Sequence, residues 1–347
     1  MAFTQQDTEC MSLALKLSEQ GRASVGANPM VGCVITRDDE IIAEDFHRQY
    51  GEGHAEINAL KQINHEAKNT SLYVTLEPCS HLGKTPPCAE ALIKAGVKKV
   101  IIAMLDPNPL VSGRGVKMLQ DANIQVEVGL LEDEASELNR GFIKRMRTGM
   151  PFVTSKIAMS LDGRTAMKNG ESKWITSDAA RKDVHKLRSE NQAIMTGSGT
   201  IINDNPMMTV RLNEIDSNPL RVVIDSNNLI TDKSLNIFSS NTDTLVLNSD
   251  NSKTLSNGKL DLQSALTKLG EMGVNNLLLE AGSGLNGAML EAGLVDEFII
   301  YTAPLILGND ARPMIDIPLK TMSEKIKLSI IDIRHVGTDI KIRAILK

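Results

Sequence analysis

Four residues in the first half of the chain have types and spacing that could hold a metal ion and move a proton. They are His54 and Glu56 in His54-Ala55-Glu56, Cys79 after Pro78, and Cys88 nine positions further on. One histidine and two cysteines make three protein ligands, the count of a site that keeps a coordination position open for chemistry. Zinc in such a site lowers the pKa of a water to about 7. A nearby carboxylate that is not a ligand, here Glu56, can carry the proton to a leaving group. Displacement of an amine by water needs both functions. In a regular helix the side chains at i and i+2 diverge, so His54 and Glu56 can serve one metal only at an irregular helix start. The Gly51-Glu52-Gly53 approach supplies such a start. Cys79 also precedes a predicted helix, whose positive end favours a thiolate. A lone His-x-Glu or two buried cysteines would be weak signals. Their order, each after a strand and before a helix, makes the combination strong.

The elements that must position these residues follow from apolar patterning. Helical spacing over 4–18 leads to strands over 31–35 and 41–46, joined at Asp38-Asp39 as a hairpin. A helix is predicted over 55–63, a strand over 72–76, and a helix over 88–95 that stops at Gly96. A strand over 100–104 and a helix over 115–123 complete a helix-covered sheet, followed by a charged helix over 132–147. Gly149-Met150-Pro151 punctuates the chain, so one domain is placed at 1–148 and a second at 149–347. The alternation then restarts, with strands over 152–158, 193–196, 221–224, 276–279 and 297–303. Helices are expected over 178–190, 262–272 and 285–292, and two further strands over 326–346. The Asn/Ser-rich stretch 239–258 is read as a loop-rich insertion around one short strand. Both domains are therefore α/β in class.

The second half has no cysteine, and its two histidines, His185 and His335, are isolated. A metal site or nucleophilic triad has nothing to be built from there. What stands out is Lys156-Ile-Ala-Met-Ser-Leu-Asp-Gly-Arg-Thr165, Ser172-Lys-Trp-Ile-Thr176, and Glu280-Ala-Gly-Ser-Gly-Leu-Asn-Gly287. The last follows an apolar strand and opens a helix, where glycines let backbone N–H groups approach a phosphate. It lacks the spacing of the Rossmann fingerprint.

The first-half constellation matches the zinc-deaminase signature of His-x-Glu followed by Pro-Cys and a second Cys. Nucleic-acid and cytidine deaminases commonly separate the cysteines by two residues, whereas eight separate them here. The block Thr75-Leu-Glu-Pro-Cys-Ser-His-Leu-Gly-Lys-Thr-Pro-Pro-Cys88 resembles the bifunctional deaminase-reductase family of riboflavin biosynthesis. So do Asn28-Pro-Met-Val-Gly-Cys33, Asp106-Pro-Asn-Pro109 and the second-half segments, and the resemblance covers nearly the whole chain. It implies a cytidine-deaminase-like α/β/α zinc domain followed by a dihydrofolate-reductase-like domain. It also implies Zn2+ and NADPH as cofactors and a small phosphoribosylamino-pyrimidine as substrate. By that resemblance Asn28, His47, Lys84, Thr85 and Asn108 contact the deaminase substrate. Ala158, Trp174, Thr200, Asp204 and Ser226 border NADPH with the turn Gly282, Ser283, Gly284, Leu285, Asn286 and Gly287. Ser172, Arg188, Met208, Arg211 and Glu280 line the reductase substrate, and the two arginines suit a ribose phosphate because a planar fork binds it bidentately.

Bulk composition narrows the rivals. The 347 residues are 41% hydrophobic and 23% charged, as in a globular protein, and exceed what one core usually serves. A net charge of −5 and 3% aromatics argue against a nucleic-acid surface, and so against an RNA-editing deaminase with an accessory second half. A second rival makes the carboxy-terminal half a non-catalytic module, which NADPH consumption would exclude. Only four cysteines, no signal-peptide pattern and no membrane-length apolar run suit a cytoplasmic protein. The family resemblance adds a homo-oligomer.

Overall fold

The computed structural model describes residues 3–80, 87–109, 111–212, 218–239 and 242–347. Its contacts divide the chain into two compact units, Met1–Gly149 and Met150–Lys347. The division falls at Gly149, whose φ of 74° closes the preceding helix in the left-handed conformation that glycine adopts without penalty.

In the first unit, α1 (Gln5–Ser18) starts at Thr4. The Thr4 hydroxyl accepts the Asp7 N–H, and the Asp7 carboxylate accepts the Thr4 N–H, a capping box. β1 (Gly32–Arg37) and β2 (Glu40–Phe46) form the hairpin turning at Asp38 and Asp39, both with positive φ. Next come α2 (Ala55–Gln62), β3 (Ser71–Leu76), α3 (Cys88–Ala95), β4 (Lys99–Met104) and α4 (Arg114–Asp121). The unit closes with β5 (Gln125–Val128), α5 (Glu132–Leu138) and α6 (Arg140–Thr148). The sheet order is β2-β1-β3-β4-β5, with β1 antiparallel to both neighbours and β3, β4 and β5 parallel.

Its two faces can be read from consecutive residues of β1, because strand side chains alternate. An added Cβ at Gly32 would sit 1.9 Å from the Ala14 carbonyl oxygen, so α1 lies directly on that face. Cys33 points the other way and is fully buried in the neighbourhood of Glu56 on α2. Helices thus cover both faces, with Val34, Ile35, Leu72, Val74, Ile101 and Ile102 in the core.

The second unit contains β6 (Phe152–Ser160), β7 (Arg164–Ala166), α7 (Asp178–Ser189), β8 (Ala193–Gly197), α8 (Ser198–Asp204) and β9 (Leu220–Asp225). It continues with β10 (Thr244–Asn248), α9 (Leu262–Glu271), β11 (Asn276–Leu279), α10 (Ser283–Glu291) and β12 (Glu297–Ala303). β13 (Arg312–Pro313), β14 (Leu328–Val336) and β15 (Asp339–Leu346) complete it. Eight strands form one sheet in the order β10-β9-β8-β11-β6-β12-β15-β14. The first six run parallel, and β15 and β14 are antiparallel additions. Leu277 and Leu279 of β11 enter one apolar cluster and Leu278 another, so this central strand is covered on both faces. β7 pairs with β13 in a separate ribbon.

Some elements differ from the sequence reading. The charged helix predicted over 132–147 is two helices, broken at Asn139 (φ −103°, ψ 17°), whose side-chain amide is bonded to the Met30 backbone. β5, β7, α8 and β13 were not predicted, being two to seven residues long. No helix among the described residues is long and apolar enough to cross a membrane.

The close contact at Gly32 yields a test. Gly32→Ala is expected to destabilise the first unit by about 1–3 kcal/mol or more, the scale of overpacking against a fixed neighbour. Calorimetry would register a fall of about 2–4 °C per kcal/mol in that unit's transition. An unchanged midpoint would contradict the packing of α1 on β1.

Candidate active sites

His54 is the N-cap of α2, in extended backbone (φ −69°, ψ 165°), and its ring makes no capping bond. The imidazole can therefore turn Nδ1 to the cysteines, 3.2 Å from Cys88 Sγ and 3.6 Å from Cys79 Sγ. Cys88 is the first residue of α3, and its backbone N–H donates to Cys79 Sγ at 3.2 Å. All three ligand atoms lie within 4.8 Å of one another, and no fourth His, Cys, Asp or Glu joins them among the described residues. Tetrahedral zinc with Zn–S of about 2.3 Å and Zn–N of about 2.0–2.1 Å requires N···S edges of about 3.6 Å. The donor set and its spacing therefore fit zinc, with one corner left open. Hydrogen bonding from Cys88, with help from His54, pulls the Cys79 thiol down to about 4 against the effect of burial. The Cys88 thiol is pushed well up by its bond to Cys79 and by burial. Coordination to a cation would favour the thiolate form of both.

Glu56 is the second residue of α2 and only 3% exposed. Burial pushes its carboxyl up to about 7, against the opposing pull of His54. A carboxyl in that range can both take and give a proton near neutrality.

Asn28 and His47 are brought together. His47 Nδ1 lies 3.1 Å from the Gly53 carbonyl, which can only accept, so Nδ1 carries the proton and Nε2 accepts. The Asn28 amide nitrogen donates to that Nε2 at 3.0 Å. Burial lowers the His47 pKa, in keeping with a neutral ring. The His47 and His54 rings meet edge-on, 5.4 Å between centroids, so Asn28 is joined to the metal centre through one imidazole. Asn108 lies in the loop after β4, its N–H donating to Asp106 at 2.8 Å. Lys84 and Thr85 lie outside the described residues. Sequence reasoning missed Glu77, whose buried carboxylate accepts the N–H groups of Asp106, Gly113, Gly115 and Val116 at 2.8–3.2 Å. It holds the β4–α4 loop. The available signal was an acid beside Pro78-Cys79 at the end of an apolar strand.

In the second unit a cavity of about 750 Å³ gathers most of the residues expected there. Ala158, Trp174, Thr200, Asp204, Gly282, Ser283, Gly284 and Leu285 of the cofactor set line it, with Arg188, Met208, Arg211 and Glu280 of the substrate set. Gly282 caps α10, so the turn brings free helix N–H groups to the wall, a favourable place for phosphate. Trp174 is 68% exposed, with the Arg181 guanidinium 4.4 Å from its ring centre. Ser172, Ser226, Asn286 and Gly287 are not in the lining. The Ser226 hydroxyl accepts the Leu260 N–H. Asn286 bonds Ser155 and the Ala281 carbonyl, and a Cβ at Gly287 would meet the Asp316 carbonyl oxygen at 2.0 Å. Both residues secure the helix start by packing.

The two arginines differ. Arg188 donates from Nε and Nη2 to both Glu280 oxygens at 2.6 and 3.0 Å and from Nη1 to the Thr209 carbonyl at 3.0 Å. Arg211 is exposed at the cavity, its guanidinium without a hydrogen-bond or ion-pair partner among the described residues. Lys156 Nζ lies 3.7 Å from Glu280; the sequence singled out its segment but gave the lysine no role. A lysine inside an apolar strand was its signal. Burial raises the Glu280 carboxyl, but Arg188 and Lys156 outweigh it and hold it near 2, fully ionised.

Comparison with known proteins agrees with this geometry. Residues 4–104 match the family described as "Cytidine and deoxycytidylate deaminase zinc-binding region", and residues 151–342 match "RibD C-terminal domain". The chain is 45% identical to "Riboflavin biosynthesis protein RibD" of Escherichia coli (strain K12), over 96% of this chain and 98% of that protein. Among solved structures, Acinetobacter baumannii RibD superposes with a TM-score of 0.92 at 42% identity, covering 99% of both chains. A diaminohydroxyphosphoribosylaminopyrimidine deaminase/5-amino-6-(5-phosphoribosylamino)uracil reductase from Thermotoga maritima gives 0.90 at 32% identity, again over 99% of both. The chain belongs to the RibD family of riboflavin biosynthesis proteins, with a cytidine-deaminase-like domain followed by a reductase domain.

Proposed function

We propose that the first unit hydrolyses the exocyclic amine of a phosphoribosylamino-pyrimidinone to give the uracil, and that the second reduces the ribose of that product to a ribityl chain. The protein is an enzyme of riboflavin biosynthesis with a zinc-dependent deaminase and an NADPH-dependent reductase domain. The observation that carries the assignment is the open three-ligand face of His54, Cys79 and Cys88 with a carboxyl raised to about 7 beside it.

Zinc, when bound, supplies a water acidic enough to act as nucleophile at neutral pH. Glu56 takes the proton of that nucleophile and hands it to the departing ammonia, so no charge accumulates in the buried site. Asn28, ordered by His47, offers its remaining amide oxygen as an acceptor for the substrate. In the second unit NADPH supplies the hydride. The α10 turn receives cofactor phosphate at its free N–H groups. Glu280, fixed by Arg188 and Lys156, accepts hydrogen bonds from ribose hydroxyls, and Arg211 offers its free fork to the ribose phosphate. Four unpaired cysteines support a cytoplasmic setting. Exposed Ile330, Ile331 and Ile333 on edge strand β14 support a homo-oligomer.

Cys88→Ala is expected to lose zinc and ammonia release together, whereas Glu56→Gln keeps zinc and loses deamination by roughly a hundredfold, the scale of a general acid–base group. Reduction started from the deaminated intermediate stays near normal in both. Zinc retained in full by Cys88→Ala would overturn the ligand set.

The arginines separate by stability as well as activity. Arg211→Ala should lower reductase kcat/KM by roughly 10- to 150-fold, the loss of charge-assisted bonds worth about 1.5–3 kcal/mol, with thermal stability unchanged. Lys at 211 restores only part, lacking the bidentate fork. Arg188→Ala instead leaves Glu280 as a buried, under-paired charge and costs about 3–5 kcal/mol of stability. Because the folded pKa of Glu280 is depressed, this stabilisation is present above the ordinary carboxylate range and is lost as pH falls towards 2. Equal stability of the two variants would contradict the division of roles.

A further inference from the structure

The segment Ala27-Asn28-Pro29-Met30 is gripped from outside the zinc-binding region. Asn139, 3% exposed at the break between α5 and α6, accepts the Met30 N–H at 2.8 Å and donates to the Met30 carbonyl at 2.9 Å. Its backbone is bonded along the helices, N–H to the Ala135 carbonyl and carbonyl to the Ile143 N–H, so the side chain alone serves Met30. On the other side of Asn28, Arg145 of α6 donates from Nη2 to the Ala27 carbonyl at 2.7 Å. Both residues lie beyond residue 104, where the deaminase family match ends. Two side chains from the end of the unit thus fix the backbone on either side of Asn28. Asn28 leads through His47 to Gly53 and the metal ligand His54.

We infer that Asn139 and Arg145 are positioning residues for the deaminase, holding the 27–30 segment so that Asn28 and His47 present one fixed hydrogen-bonding face to the pyrimidine substrate. The inference builds on the reading that Asn28 contacts that substrate. An amide is suited to the task at 139, because one planar group must accept from N–H and donate to C=O of the same residue. Aspartate keeps only the accepting half. At 145 lysine keeps a donor for the Ala27 carbonyl, whereas methionine does not. At the break residue 139 has φ −103° and ψ 17°, and its amide lies along Met30.

The test is a set of variants of the full-length, zinc-loaded protein, with ammonia release from the phosphoribosylamino-pyrimidinone as readout. Asn139→Ala and Arg145→Met should lower deaminase kcat/KM by roughly 10- to 100-fold, the scale of a displacement of about 1 Å at a reacting site, chiefly through KM. Zinc content and the reductase reaction stay unchanged, and Arg145→Lys recovers most of the loss. The deciding arm is a double-mutant cycle. If Asn139 acts through Asn28, adding Asn139→Ala to Asn28→Ala produces little further change. The same fold-loss in both backgrounds would overturn the inference, as would loss of zinc in step with activity. An Asn28→Ala single variant with normal KM would instead overturn the Asn28 contact itself. Should Asn139→Ala fail to fold, Arg145→Met and its cycle with Asn28→Ala decide the matter alone.

Discussion

Bringing one imidazole nitrogen and two thiol sulfurs within 4.8 Å of one another is the demand around which the first unit is arranged. The ligands come from positions 54, 79 and 88, so two helix starts must converge where β3 ends. A helix start suits the purpose twice over. Its N-cap residue is not yet helical, which frees the His54 ring from the direction a helical residue would impose. Its N–H groups and dipole stabilise the Cys79 thiolate. Burial that keeps out bulk water also raises Glu56 towards neutrality. The same packing that gathers His54, Cys79 and Cys88 therefore tunes the proposed proton carrier.

The second unit poses a different electrostatic problem. Glu280 must remain ionised although it is nearly excluded from water, and Arg188 and Lys156 make that tolerable. Its position at the end of central strand β11, next to the α10 turn, puts a fixed anion beside a helix start that attracts anions.

How much of this was legible in the sequence depended on the range of the interaction responsible. The grouping of His54, Cys79 and Cys88 was legible because few residue types can do that chemistry and their order is restrictive. Strands such as β11 and β12 announced themselves by unbroken apolar runs. The short elements β7, α8 and β13 did not, since they are too brief to show a period. The break at Asn139 had no local sequence signal, and its side chain bonds a partner 109 residues away. Arg188 and Arg211 looked equivalent as sequence. Only the fold distinguishes a guanidinium already bound to Glu280 from one at the cavity with no partner among the described residues. Lys156 stood in a segment that the sequence singled out but was given no role, because its partner Glu280 is distant in sequence and adjacent in space.

X-ray absorption at the zinc edge of the loaded protein tests the central claim most directly. The account predicts two sulfur scatterers at about 2.3 Å, one imidazole nitrogen at about 2.0–2.1 Å and one further light atom. A shell with no sulfur, or with four protein ligands and no open position, would contradict it.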